Sequence, residues 1–282
     1  MRLIRSASRM AALSGRLHRR GKRVGVVPTM GALHEGHLSL IRAAAAHNDV
    51  VIVTLFVNPL QFGPREDFTR YPRNLRRDAK LVQAAGADVL FAPSTTQMYP
   101  PGFQTSVDPG PLATVWEGRA RPGHFTGVAT VVTLLFQATL PANAYFGQKD
   151  YQQTLMIRRL VSDLQFPIRI HVLPTVREPD GLAMSSRNAY LSAAERRQAI
   201  VLYETLRAAD SRIRLGERRA APIISAMRQQ LRRQPDVRVD YVALTDARTL
   251  QPLSRLRGKL VMLIAAWVGN TRLIDNLLVD VS

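Results

Sequence analysis

The 282-residue chain contains no cysteine, which excludes disulfides and thiolate metal sites. It also lacks a membrane-length apolar run. Its longest, near residues 128–136 and 260–268, fall well short of the roughly 20 residues that cross a bilayer. Lysine is scarce, occurring only at Lys22, Lys80, Lys149 and Lys259, and acids are few, with 21 Asp and Glu against 39 Lys and Arg and none before Glu35. No zinc-ligand spacing, basic zipper or aromatic RNA-binding pattern is present, and no internal repeat or low-complexity tract. These absences point to a soluble, intracellular, cytoplasmic globular protein of one large or two modest domains with a sizeable core.

The charge imbalance sets up a rival class of function. A net charge of +18 attracts phosphate backbones and favours salt-sensitive nucleic-acid binding. The arginines, however, are scattered along predicted helices, as on a solvated basic surface, so no nucleic-acid partner is expected. The start of the chain, with Arg2, Arg5, Arg9, Arg16, Arg19 and Arg20, has the look of an organelle transit peptide. Ile4, Met10, Leu13 and Leu17 instead suit the packing face of a helix covering a sheet whose first strand begins by Val24.

Against this background one stretch stands out, VGVVPTMGALHEGHLSL at residues 24–40. Val24, Val26 and Val27 suit a strand buried in a parallel sheet, with Pro28 expected to stop it. Gly31 and Gly36 allow a tight turn and close approach to a ligand. From about His37 a helix is expected, and its first free amides receive anions. His34 and His37 flank the turn, where imidazoles can hydrogen-bond a phosphoryl oxygen and steady charge developing during displacement. An ordinary β-turn-α connection with solvated histidines shares this spacing. The position at a strand-to-helix switch, where open α/β sheets bind ligands, favours the phosphate site.

The rest of the pattern fits such a sheet. Strands are expected at 50–58, 87–93, 143–147 and 167–173, and helices at 74–85, stopped by Gly86, at 126–138 and at 151–164. A Pro- and Gly-rich loop fills 94–123, a length that is usually functional. This alternation predicts an α/β fold, a Rossmann-like doubly wound parallel sheet with right-handed crossovers. After Pro174 the pattern changes to helices at 195–215 and 222–233 and three later strands. Residues 1–175 are therefore expected to form a nucleotide-binding domain, and residues 176–282 a second, smaller α+β domain.

Further chemistry-bearing residues sit at predicted loop positions. Asn58 and Gln61 follow the second strand, and as uncharged amides suit a hydroxyl or carboxylate; turn capping by Asn58 is the plainer alternative. In FGQKDYQQ, Lys149 is a compact cation suited to a triphosphate. Asp150 accepts from ribose or caps a helix, and Gln153 follows one turn later. GLAMSSRN offers Ser185 and Ser186 as donors and Arg187 as a bidentate phosphate clamp. Glu117, Arg121 and His124 in WEGRARPGHFTGV receive no chemistry from spacing alone.

Taken in order, PTMGALHEGH, FVNPLQF with EDFTRYPR, RPGHFTGVATVV, FGQKDYQQ, TVREPDGLAMSSRN and GNTRLIDN resemble the pantoate–β-alanine ligase family of HxGH nucleotidyltransferases. Its serine loop is similar to the KMSKS loop of class I aminoacyl-tRNA synthetases. The resemblance implies an ATP-dependent, AMP-forming acid–amine ligase that joins pantoate and β-alanine through a pantoyl adenylate. It implies that Met30, His34, His37, Gly147, Lys149, Asp150, Val176, Met184, Ser185, Ser186 and Arg187 bind ATP. Among these, His37, His34 and Lys149 would be catalytic. Gln61, Gln153 and Asn58 would bind pantoate and β-alanine, Asp78 would serve Mg2+, and the chain would form a homodimer. Gln148 stands where many relatives carry glutamate, and Trp267 where a smaller or basic residue is common. An HxGH enzyme acting on a phosphate acceptor would share the first motif without needing the paired glutamines.

Overall fold

In the computed structural model, which describes residues 1–64 and 66–281, the chain forms two compact units. The first comprises Met1–Thr114, Arg121–Gln148 and Gln153–Pro174; the second comprises Val115–Ala120, Lys149–Gln152 and Thr175–Ser282.

The first unit is a six-stranded parallel sheet. Its strands are β1 (Arg2–Ile4), β2 (Val24–Thr29), β3 (Val50–Leu55), β4 (Val89–Phe91), β5 (Asn143–Gly147) and β6 (Arg169–Leu173), in the spatial order β1-β4-β3-β2-β5-β6. The strand period of two sorts apolar side chains to opposite faces. Val24, Val26, Ile52, Phe91, Ala144 and Phe146 pack with α1 (Ala7–Arg19), α6 (His124–Thr139) and α7 (Tyr151–Asp163). Val27, Val51, Val53, Leu90 and Tyr145 pack instead with α2 (Glu35–His47) and α3 (Leu75–Ala84). Helices on both faces make the sheet doubly wound, as the alternating pattern predicted. Chain order reverses between β2 and β5, which places the ligand-binding switch point at their carboxyl ends.

Two expectations need correction. Pro28 does not stop β2, which runs on to Thr29 in register with β3. The Val24 carbonyl accepts from Ala142 on the β5 side and the Thr29 carbonyl from Phe56 on the β3 side, so alternation turns the Pro28 nitrogen toward β5. Pairing with β5 ends at Val26, and the amide proline lacks is not needed. The first strand is also not at Val24. Arg2–Ile4 pairs with β4, so Ile4 packs from a strand three residues long, too short for a period to show.

The loop at 94–123 contains the short helices α4 (Thr95–Met98) and α5 (Glu117–Ala120). In the second unit α8 (Ala193–Ala199), α9 (Val201–Arg214) and α10 (Ala220–Leu231) accompany an antiparallel sheet of β7 (Val237–Asp246), β8 (Gly258–Val268) and β9 (Thr271–Val281). The helix expected over 195–215 is divided at Ile200. Leu202, Leu206, Ile223 and Met227 close the core over Leu260, Met262 and Ile264. No helix among the described residues is long and apolar enough to cross a membrane.

Candidate active site

The loop after β2 is held open by an unusual backbone. Gly31 has φ +88° and Ala32 φ +51°, both left-handed, and a side chain disfavours that region by roughly 1–2 kcal/mol. What holds it is Asp78. This carboxylate, 1% exposed, accepts the Ala32 amide at 3.0 Å and the Leu33 amide at 3.1 Å. A Cβ on Gly31 would lie 3.1 Å from the same carboxylate, so glycine there serves both the turn and the clamp. His34 then occupies the N-cap of α2, which starts at Glu35, earlier than the pattern suggested. The His34 and His37 rings lie 4.1 Å apart, tilted by 47°. His37 Nδ1 accepts the His34 backbone N–H at 3.4 Å. That amide can only donate, so the imidazole proton sits on Nε2 as a donor.

Beside this loop, at the carboxyl end of β3, Asn58 caps the short turn Pro59–Gln61. Its Oδ1 accepts the Leu60 amide at 3.2 Å and the Tyr99 hydroxyl at 2.7 Å, and its Nδ2 donates to the Gly127 carbonyl at 3.0 Å and Gln61 Oε1 at 3.1 Å. The Gln61 Nε2 in turn lies 3.2 Å from the Met30 sulfur. Met30, Asn58 and Gln61 are thus brought together, Asn58 in the capping role as well. The motif without assigned chemistry supports this turn. His124 Nδ1 donates to the Gln61 carbonyl at 2.8 Å, Arg121 Nη2 donates to it at 3.2 Å, and Arg121 grips both oxygens of Glu66 at 2.8 and 2.6 Å. Burial raises the Glu66 carboxyl, but the Arg121 guanidinium outweighs it and leaves the group below the usual range. Helix α6 packs so close that a Cβ on Gly127 would stand 2.2 Å from the Leu60 carbonyl oxygen. Gly147 ends β5, and Gln153 lies half-buried on α7.

In the second unit, Lys149 is half-buried, with its Nζ 3.8 Å from Asp150 and its carbonyl accepting from Asn276 Nδ2 at 2.8 Å. Residues 176–184 form a small hairpin closed by the Met184 amide on the Val176 carbonyl at 3.0 Å. It is anchored by Arg177, which meets both Asp275 oxygens at 2.7 and 2.9 Å and lies 3.8 Å from the Tyr203 ring centroid. Ser185 accepts the Arg187 amide at 3.2 Å and so caps the turn Ser186–Tyr190, and Ser192 caps α8. Arg272 chelates Glu117 at 2.7 and 2.8 Å and reaches Asp240 at 2.9 Å. Burial, with Glu117 beside it, holds the Tyr241 hydroxyl well above the ordinary tyrosine range.

The late motif GNTRLIDN therefore has a structural meaning that spacing did not reveal. From β9, Arg272, Asp275 and Asn276 fasten Glu117, Arg177 and the Lys149 backbone in turn. Arg177, Arg272 and Asp275 lay inside quoted motifs, but nothing local announced their partners. Tyr99 lay outside them.

Among the described residues no group of three or more His, Cys, Asp or Glu is placed to hold a metal. Asp78, the residue expected to serve magnesium, gives one oxygen to the Ala32 amide and the other to the buried Leu33 amide. The structure shows Asp78 as a clamp on the backbone of the loop after β2.

Comparison with known proteins agrees with this architecture. Residues 2–278 match the family described as pantoate-beta-alanine ligase. The chain belongs to that family. Pantothenate synthetase of Moorella thermoacetica is 52% identical over 282 residues, covering 100% of both chains, and that of Roseiflexus castenholzii is 54% identical over 280 residues, covering 99% and 100%. The crystal structure of the Thermus thermophilus pantothenate synthetase superposes with a TM-score of 0.93 at 49% identity, covering 98% of this chain and 99% of that one. The Francisella tularensis pantoate-beta-alanine ligase, in complex with beta-gamma ATP and beta-alanine, gives 0.82 at 36%, covering 99% and 97%.

Proposed function

We propose that this chain ligates pantoate and β-alanine at the expense of ATP. A pantoate carboxylate oxygen attacks the α-phosphorus, forming a P–O bond as the bond to pyrophosphate breaks. The β-alanine nitrogen then attacks the acyl carbon, forming the amide as AMP departs with the acyl oxygen and the amine loses a proton to solvent. A carboxylate is a poor acyl donor until its oxygen joins such a leaving group.

Membership of the family and likeness over the full length of its relatives support this reading. The observation that carries it is local: an uncharged amide, Gln61, stands 3.2 Å from Met30 in the loop that leads into the start of α2. A helix N-terminus there favours the phosphates, while a neutral donor suits an incoming carboxylate. Catalysis in this reading is positioning plus charge stabilisation. Met30, His34 and His37 receive ATP with Gly147, and the Nε2 proton of His37 is donated toward the departing pyrophosphate. Lys149, Asp150, Val176 and Met184 to Arg187 serve ribose, adenine and phosphates, and Gln61 and Gln153 serve the pantoate and β-alanine side, with Asn58 behind Gln61. Magnesium bound with the triphosphate would shield its charge from the incoming carboxylate. We also assign the chain to the cytoplasm as a homodimer and take residues 1–175 and 176–282 as its domains, apart from the two short stretches that join the second unit.

Pyrophosphate should appear with ATP and pantoate alone, and AMP on adding β-alanine. A lack of pantoate-dependent pyrophosphate refutes the reading. His37→Ala and Lys149→Ala should each lower turnover by roughly two orders of magnitude, the usual cost of losing a transition-state donor.

A further inference from the structure

We propose that Tyr99 and Asn58 form a positioning relay that fixes which end of the Gln61 amide is presented to the carboxylate substrate; this rests on the reading of Gln61 as pantoate-binding. The direction of each amide follows from groups that admit one role only. The Leu60 backbone N–H can only donate, so the Asn58 atom 3.2 Å from it is oxygen; the Gly127 carbonyl can only accept, so the atom 3.0 Å from it is nitrogen. With Asn58 so fixed, its nitrogen faces the Gln61 atom at 3.1 Å, which must be oxygen. The Gln61 NH2 is thereby turned toward Met30 as a donor. A flipped Gln61 would present its oxygen to an anion that can only accept.

Every hydrogen-bonding position of Asn58 is filled within the protein: two acceptances, from Leu60 and Tyr99, and two donations, to Gly127 and Gln61. Asn58 is also 1% exposed. It has nothing left to offer a substrate, and it acts through Gln61. The Tyr99 hydroxyl makes the shortest of the four bonds, at 2.7 Å. Its ring is wedged between Phe56 and Phe103, with centroids 6.0 and 5.0 Å away, so the hydroxyl has little freedom to leave Asn58. Burial raises the tyrosine well above its ordinary range, and it stays a donor throughout the working pH of an enzyme.

The test is a steady-state cycle on the purified enzyme with Tyr99→Phe, Gln61→Ala and the double variant. Tyr99→Phe should raise the KM for pantoate about five-fold, the scale of one net hydrogen bond, with kcat and the KM for ATP within about two-fold. In the Gln61→Ala background the same change should move the pantoate KM less than about two-fold, because the relay has lost its end. An unchanged pantoate KM in Tyr99→Phe, an equal effect in both backgrounds, or a parallel rise in the KM for ATP overturns the relay. If Gln61→Ala itself leaves the pantoate KM unmoved while wild type still releases pantoate-dependent pyrophosphate, the Gln61 assignment falls and the relay with it. A measurement on unmutated, 15N-labelled enzyme is independent of any variant's folding: pantoate should shift the Gln61 side-chain NH2 signals and leave those of Asn58 in place. The reverse pattern overturns the proposal.

Discussion

Replacing Asp78 by asparagine changes one atom's chemistry and leaves the shape of α3 intact. The wild-type carboxylate offers one oxygen to the Ala32 amide at 3.0 Å and the other to Leu33 at 3.1 Å. Asparagine keeps one acceptor and turns an NH2 donor on the other amide, so one charge-assisted bond is lost and a buried N–H is left facing a donor. A hydrogen bond to a charged group is worth about 1.5–3 kcal/mol; a loss of about 2 kcal/mol lowers the melting temperature of a chain this long by about 3–4 °C. The Ala32 backbone, in the left-handed region at φ +51°, then has less to hold it, and the loop carrying Met30 and His34 relaxes. A misplacement of about 1 Å in a positioned group can cost roughly 100-fold in rate, so pyrophosphate release should fall by one to two orders of magnitude. Hydrogen exchange should quicken at residues 31–34. If Asp78 were instead a magnesium ligand, the variant would need more magnesium while melting and exchanging as wild type does. That result, or unchanged turnover and melting together, refutes the clamp.

Three further outcomes follow from the geometry. Arg177→Lys cannot bridge both Asp275 oxygens or keep its guanidinium 3.8 Å from the Tyr203 ring centroid; it should lose about 2 kcal/mol in thermal unfolding and raise protease sensitivity within 176–184, and wild-type behaviour in both would refute the anchoring role. Gly127→Ala sets a Cβ against the Leu60 carbonyl and 2.7 Å from the Gln61 amide nitrogen; because backbone must shift, a loss above about 2 kcal/mol is expected, with a weakened pantoate KM, and a melt within about 1 °C of wild type would show that the turn is not tightly packed. Glu66 carries the acid-side prediction: its folded carboxyl lies below its ordinary value, so its pair with Arg121 adds stability above the unfolded pKa and loses it as pH falls through the lower, folded one. Melting temperatures from pH 6 to pH 3 should therefore fall more steeply in wild type than in Glu66→Gln, and parallel slopes would contradict the assignment.

What the sequence determined by itself was whatever is encoded in a local period or a local turn. Alternating β-branched runs and amphipathic stretches specified the doubly wound parallel sheet and the helices and three strands of the smaller α+β unit, because hydrophobic burial must follow the pitch of each element. The glycine-histidine turn after Val27, the amides after β3 and the hydroxyl loop near Met184 were legible for the same reason. Only the tertiary structure decided how those pieces are held. Asp78 lies 46 residues from Ala32, Tyr99 lies 41 from Asn58, and Arg177 lies 98 from Asp275, and no period links such pairs. A hydrogen bond depends on where atoms meet in space, so the identity of its partner is settled by packing and not by spacing along the chain.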